Sequence, residues 1–326
     1  MKQENKVAVS APGKLLLFGE HAVVYGKPSV VTAVDKRVYV TIEKTHDEFI
    51  WIEAPEVKVN GYKKHITKAQ NGKSKKSISF VEEAVKIFFK KFSVHSGLKI
   101  ETKSEFSSQF GFGSSSAVTA AAIFGLSNLF NVTLSKKELF DLSYEVILKV
   151  QKTGSGFDLA AAIYGGTLLF ETGGRVIKPL TVSNLPFVVG YTGVKADTVT
   201  LINEVKRFKQ NYPQLVTVLF DQIGEISKRG KESLEKKDWQ KAGEFMNINQ
   251  GLLDTLGVSS KELSSLIYAA RDAGAYGAKL SGAGGGDCMV ALSPENKRKD
   301  IERSISKAGG TVMNVTPNAK GVRTEE

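Results

Sequence analysis

The sequence holds one cysteine, Cys288, so no internal disulfide framework can form, and a lone thiol fits a reducing, cytoplasmic setting. No apolar run approaches the ~20 residues that a membrane-spanning helix needs, so no membrane partner is expected. The polar start, Met1 to Lys6, leads into a short strand without the apolar core of a secretory leader, and no leader is expected. Four histidines, His21, His46, His65 and His95, are scattered without metal-ligand spacing. Also missing are a stacked-aromatic RNA module and a helix-turn-helix with a basic recognition helix, so nucleic acid is not the expected partner. The net charge of +11 therefore needs another explanation. Part of it lies in a polar stretch, Lys58, Lys63, Lys64, Lys68, Lys73, Lys75 and Lys76, which reads as a solvated loop or hairpin. Nucleotide phosphates are the economical partner for the remainder.

What is present is a globular composition. The 326 residues are 41% hydrophobic and 24% charged, enough for a large core in one or two domains. The densest signal lies in residues 107–130. Gly111 and Gly113 make a loop that needs permissive backbone angles, and Ser114, Ser115 and Ser116 follow where a helix should start, well placed for side-chain capping. Ala117, Ala120, Ala121, Phe124 and Phe130 then keep helical spacing with no proline to stop it. A glycine loop entering a bare helix N-terminus offers N–H groups and partial positive charge, a phosphate-binding device; a Gly/Ser loop capping a core helix reads the same way. It is not a Walker A loop, because no Lys-Ser/Thr follows at the required spacing, nor a Rossmann fingerprint, because the third glycine is missing.

Around this stretch the chain alternates strand and helix patterns. Lys6–Ser10 reads as a strand broken by Ala11-Pro12-Gly13-Lys14, followed by a buried run, Leu15–Phe18, and by strands Val30–Val34 and Val38–Ile42. A helix is expected over Ser79–Phe92, a strand over Gly97–Thr102, and a helix capped by Ser135 that turns Leu139, Leu142, Val146 and Val150 to one face. Further helices are expected near 200–210, 215–235 and 260–273. Lys14 and the pair Glu20-His21 place polar groups at both ends of a buried element. Asp158, just past Gly154-Ser155-Gly156, either faces a cleft or is a helix-start aspartate favoured by the dipole. Gly282, Gly284, Gly285 and Gly286 make a second loop that either approaches a ligand or serves as a flexible turn. No internal repeat or domain linker is visible.

Three of these stretches, in order, resemble the three motifs of the GHMP small-molecule kinases. Ala11-Pro12-Gly13-Lys14 through Gly19-Glu20-His21-Ala22-Val23-Val24 to Gly26 is similar to the first motif, in the form carried by mevalonate kinases. Residues 107–117 resemble the second, the loop for ATP phosphates, and residues 279–290 the third. The resemblance spans the chain and implies an α+β GHMP kinase fold. A ribosomal-protein-S5-like domain would take residues 1–180 and a ferredoxin-like domain residues 181–326, with the site between them. It implies ATP-dependent phosphorylation of mevalonate with Mg²⁺ as cofactor. The alternatives are phosphomevalonate or another small-molecule acceptor, and a non-catalytic nucleotide-binding relative. A homodimer is the assembly to test.

Carried over residue by residue, the resemblance makes Asp158 the group that accepts or orients the acceptor hydroxyl, with Lys14 beside it. Gly111, Phe112, Gly113, Ser114, Ser115 and Ser116 would hold ATP, with Ser115 also on Mg²⁺. Glu20, His21, Thr192, Gly282, Ala283 and Gly284 would shape the acceptor pocket. Family members use the segment before the phosphate loop to cover the adenine. Two departures stand out. Mevalonate kinases carry a metal-binding glutamate 11 residues before the aspartate, where this chain has Ile147. Glu145 is two residues away, about 200° around a regular helix, so the metal would rest on Ser115, phosphate oxygens and water. The run Gly154-Ser155-Gly156-Phe157-Asp158, Asp287 in the third motif and Gln109 in the second resemble phosphomevalonate kinases instead.

Overall fold

Strand β1 (Lys6–Phe18) is buried from Val9 onward on both faces, and the rest of the N-terminal half is arranged against it. The computed structural model describes residues 5–67 and 75–326; Met1 to Glu4 of the polar start, and Lys68 and Lys73 of the lysine-rich stretch, lie outside the described residues. The expected break at Ala11–Lys14 is a register shift between Pro12 and Gly13 within one continuous strand. Proline lacks the N–H that a ladder requires, so the irregularity falls there and the strand continues past it.

β2 (Ser29–Thr45) pairs antiparallel with β1 along most of its length, joining the two expected strands into one. β3 (Phe49–Ala54), β4 (Val59–His65) and β5 (Gly97–Ser104) extend the sheet in the order β1-β2-β5-β3-β4. The lysine-rich stretch thus supplies one arm of a hairpin, where Lys63 lies 3.9 Å from the Phe49 ring centroid and Lys64 pairs with Glu82 at 2.9 Å. Helices α1 (Ser79–Phe92), α2 (Ser114–Leu129), α3 (Lys136–Gln151) and α4 (Phe157–Tyr164) pack together, with α2 and α4 resting on β1 and β2. Ser135 caps α3 in a reciprocal capping box with Glu138. β6 (Thr167–Glu171) pairs with β2, and β7 (Val176–Leu180) with β6.

β8 (Phe187–Tyr191) begins a second sheet with β9 (Gly277–Ser281), β10 (Cys288–Leu292) and β11 (Thr311–Met313), in the order β11-β8-β10-β9 and antiparallel throughout. Counted among its own strands this is the order fourth, first, third, second, the ferredoxin-like topology. Between β8 and β9 run α5 (Thr198–Asn211), α6 (Pro213–Glu235), α7 (Trp239–Thr255) and α8 (Lys261–Asp272), and α9 (Arg298–Lys307) precedes β11. The chain then returns to the first sheet, where β12 (Arg323–Thr324) pairs with β1. Buried Arg37 secures this return by donating to the carbonyls of Lys320 and Gly321, both at 2.8 Å.

α7 sits close on β9 through paired glycines. A Cβ on Gly277 would lie 1.9 Å from the Gly243 carbonyl oxygen, a distance no repacking of side chains relieves. Gly277→Ala is therefore expected to cost on the order of 3 kcal/mol by forcing backbone apart. The check is the urea midpoint; a midpoint within error of the parent would mean the helix can slide.

Candidate active site

The glycine loop runs into a helix as expected, with one correction to the cap. α2 starts at Ser114, but its N-cap is Gly113, in the left-handed region at φ 76°, and no side chain caps the helix. The serines fall inside the first turn, where their hydroxyls are not needed to satisfy their own backbone. The uncapped N-terminus opens onto a cleft of about 1680 Å³ between the two sheets. Gly111, Gly113, Ser114, Ser115 and Ser116 line it, together with Lys14, Asp158, Glu20, His21, Gly282, Ala283 and Asp287. The orphan amides and aligned dipoles of a helix start favour an anion there.

Lys14 is the hub. The bulge in β1 leaves it beside the loop, with its backbone N–H donating to the Phe112 carbonyl at 3.0 Å and its Nζ to the Gly111 carbonyl at 2.8 Å. The same Nζ lies 3.3 Å from Asp158 Oδ1. Asp158 reaches this position from the first turn of α4, whose N-cap is Gly156 at φ 94°. Its side chain is one-third exposed to the cleft, while Oδ1 is buried and lacks a hydrogen-bond partner. Gly113 closes the group: a Cβ there would stand 3.3 Å from Lys14 Cε and 3.4 Å from Asp158 Cγ. A cation, a carboxylate and a helix N-terminus thus meet on the wall of the cleft.

At the other end of β1, Glu20 and Lys279 form an ion pair with both side chains wholly buried. Burial pushes the Glu20 carboxyl above its usual range and the Lys279 ammonium below its own, while their mutual attraction opposes both shifts. Glu20 Oε2 has no hydrogen-bond partner and borders the cleft. His21 sits at φ 58° and contacts the Ala283 carbonyl through Nε2 at 2.8 Å. A carbonyl accepts, so Nε2 carries the proton. Burial holds the His21 pKa below the ordinary histidine value. A group with a depressed folded pKa that is neutral when buried contributes stability above its unfolded pKa of about 6.5 and loses it as pH falls through that window. The parent is expected to lose stability on acidification below about pH 6.5, and His21→Gln to flatten that part of the profile. Urea midpoints between pH 5 and 8 are the check, and an unchanged slope in the variant would refute the assignment.

Ile147 is 4% exposed and lies against Gly154, whereas Glu145 is exposed. The offset of two residues puts a buried apolar side chain where mevalonate kinases carry the glutamate, while Glu145, though exposed, also lines the cleft. Oxygen donors on the cleft wall include the Ser115 hydroxyl, the Glu145 carboxylate and the Asp158 carboxylate, whose Oδ1 faces Lys14. This small set suits Mg²⁺, which keeps several waters and binds through one or two protein oxygens plus phosphates.

Of the remaining expected residues, Phe112, Thr192 and Gly284 are placed behind the cleft wall. Phe112 is 1% exposed, and Thr192 Oγ1 donates to the Asp287 carbonyl at 3.1 Å. Gly284, at φ 84°, runs against the Val258 carbonyl. Sequence reasoning assigned Lys279 no role. Its signal was a lysine inside the apolar strand Ala278-Lys279-Leu280, which requires a buried partner.

Comparison with known proteins agrees with this geometry. Residues 79–166 match the family description "GHMP kinases N terminal domain" and residues 231–311 match "GHMP kinases C terminal". A protein named mevalonate kinase from Pyrococcus abyssi is 40% identical over 331 residues, covering 98% of each chain. Among solved structures, a Lin0012 protein from Listeria innocua has a TM-score of 0.89 at 26% identity and covers 99% of this chain and 100% of that one. L. major mevalonate kinase in complex with R-mevalonate has a TM-score of 0.78 at 28% identity, covering 96% of each chain.

Proposed function

Because this chain belongs to the GHMP kinase family, we propose that its cleft transfers the γ-phosphoryl group of ATP to the 5-hydroxyl of mevalonate. The observation that carries the mechanism is the Lys14–Asp158 pair, 3.3 Å apart beside the uncapped start of α2. The acceptor is supported by the mevalonate kinases that match this chain over nearly its whole length.

In this reading the loop from Gly111 to Ser116 receives the β- and γ-phosphates on its amides. Asp158 takes the hydroxyl proton as the acceptor oxygen bonds to the γ-phosphorus and the bond to ADP breaks. Lys14 faces Asp158 and offsets charge on the transferring group; such transfer rests on positioning and charge neutralisation. Mg²⁺ would be held by Ser115 and phosphate oxygens with water, and would supply further neutralisation. The arm of the cleft lined by Phe80 and Ile87 of α1 suits the nucleoside. Glu20, His21, Gly282 and Ala283 bound the acceptor end. The same reading divides the chain at residues 180 and 181: β7 ends at Leu180 in the first sheet, and β8 opens the second at Phe187. It places the enzyme in the cytoplasm, where a free Cys288 is stable.

The test offers mevalonate and 5-phosphomevalonate with ATP in separate reactions. Mevalonate turnover is expected. Turnover of phosphomevalonate alone would transfer the assignment to the sister reaction, which Asp287 and the Gly154–Asp158 run resemble.

A further inference from the structure

The phosphate loop is not held by its own domain alone. Phe110 and Gly111, at its entry, dock on the second sheet through three separate contacts. The Phe110 ring packs edge-on against Tyr191 of β8, with centroids 5.0 Å apart. The Phe110 carbonyl accepts from Cys288 Sγ at 3.2 Å. Gly111 lies against Asp287 so closely that a Cβ on it would be 2.5 Å from Asp287 Oδ2. Gly111 also presents the carbonyl that takes Lys14 Nζ, so whatever holds Gly111 also sets Lys14.

Asp287 is an unusual neighbour for such a loop. It is a non-glycine residue at φ 56°, directly after three consecutive glycines, and its side chain is 8% exposed. A fixed carboxylate beside a phosphate-binding loop repels the ligand unless it is neutralised. The neutralising groups are present: Oδ1 accepts from the Ala196 amide at 3.0 Å and from Lys195 Nζ at 3.3 Å. Lys195 is half exposed and lines the cleft.

We propose that Asp287 is a positioning residue, bracing Gly111 of the phosphate loop from across the domain boundary, with Lys195 cancelling its charge so that the brace does not repel the nucleotide. The inference rests on the phosphoryl-transfer reading but not on which acceptor is used. Asp287 touches no reacting atom; it acts through Gly111 and, beyond it, Lys14.

The arrangement makes the two side chains interdependent. Asp287→Gly keeps the left-handed backbone without strain and removes the brace, and Asp287→Asn keeps both the shape and an oxygen for the Ala196 amide. Lys195→Met leaves the carboxylate uncompensated. Affinity for a non-hydrolysable ATP analogue with Mg²⁺, measured by titration calorimetry without acceptor, is expected to fall roughly tenfold in Asp287→Gly and in Lys195→Met. It should stay near the parent value in Asp287→Asn and return there in the double variant Lys195→Met/Asp287→Asn. Steady-state kinetics should show the KM for ATP rising in step while the KM for the acceptor holds in Asp287→Gly.

Parent-like analogue affinity in Asp287→Gly would overturn the brace. A Lys195→Met defect confined to the acceptor KM, or one that Asp287→Asn does not reverse, would overturn the neutralising role. Failure of the parent itself to bind the analogue would instead strike the kinase reading on which the inference rests.

Discussion

Asp158→Asn is expected to lower kcat by roughly 10²–10⁴-fold while leaving the affinity for ATP within about twofold of the parent. The amide keeps the volume of the carboxylate at the head of α4, so packing against Gly113 is preserved. It removes the proposed proton acceptor and the charge that faces Lys14 at 3.3 Å. In the proposed function the phosphates rest on the loop amides, which the substitution does not touch. Lys14→Met should behave differently, because Lys14 Nζ also holds the Gly111 carbonyl at 2.8 Å. That variant is expected to lose both turnover and nucleotide affinity. Kinetics at saturating substrates together with calorimetry of an ATP analogue separate the two. A kcat for Asp158→Asn near that of the parent would remove Asp158 from the chemistry altogether.

The second large effect is expected at the buried pair. Glu20 and Lys279 are both fully buried, and among the described residues each is the other's only counter-charge in contact. Removing either alone strands a charge away from water, and Lys279→Met or Glu20→Gln should each cost about 3–5 kcal/mol of folding stability. The double variant should recover most of that loss, since replacing both members of a buried pair is often close to neutral. The pH dependence identifies the stranded group. In Lys279→Met, Glu20 keeps the burial that raises its pKa and loses the attraction that lowered it. A carboxyl with a raised folded pKa binds more protons folded than unfolded, so the variant should be least stable at high pH and regain stability as pH falls toward the folded value. Urea midpoints of the singles and the double, at pH 5 and pH 8, decide this. Additive losses in the double variant would show that packing, not the paired charge, sets the cost.

The periodicity of the apolar residues placed Ser79–Phe92 as a helix with both ends correct, because that helix buries one face and its pattern is local. The same holds for the Ser135 cap of α3, where side chain and backbone partners lie three residues apart. The two glycine loops were legible as loops for a similar reason, since small-residue runs leave a mark in the letters themselves, whereas Asp158 was singled out by the family resemblance. The break expected at Pro12 was misread because a local rule was applied to a strand whose continuity is set by its partner β2, and partners are not written locally. The serine caps were misplaced by one position, since Gly113 occupies the cap once the loop is folded.

What the sequence determined by itself is the set of chemical groups: a lysine after a Pro-Gly turn, an aspartate at a helix start, and two glycine-rich loops. What tertiary structure decided is which of them meet. Lys14, Gly111 and Asp158 are far apart along the chain, and their convergence depends on α2 and α4 packing on β1. The pairing of Glu20 with Lys279 and the contact of Asp287 with Gly111 cross from one sheet to the other. Local propensity does not encode such distances. They follow from burial of two cores against a shared cleft, where a charge left without a partner would be too costly to keep.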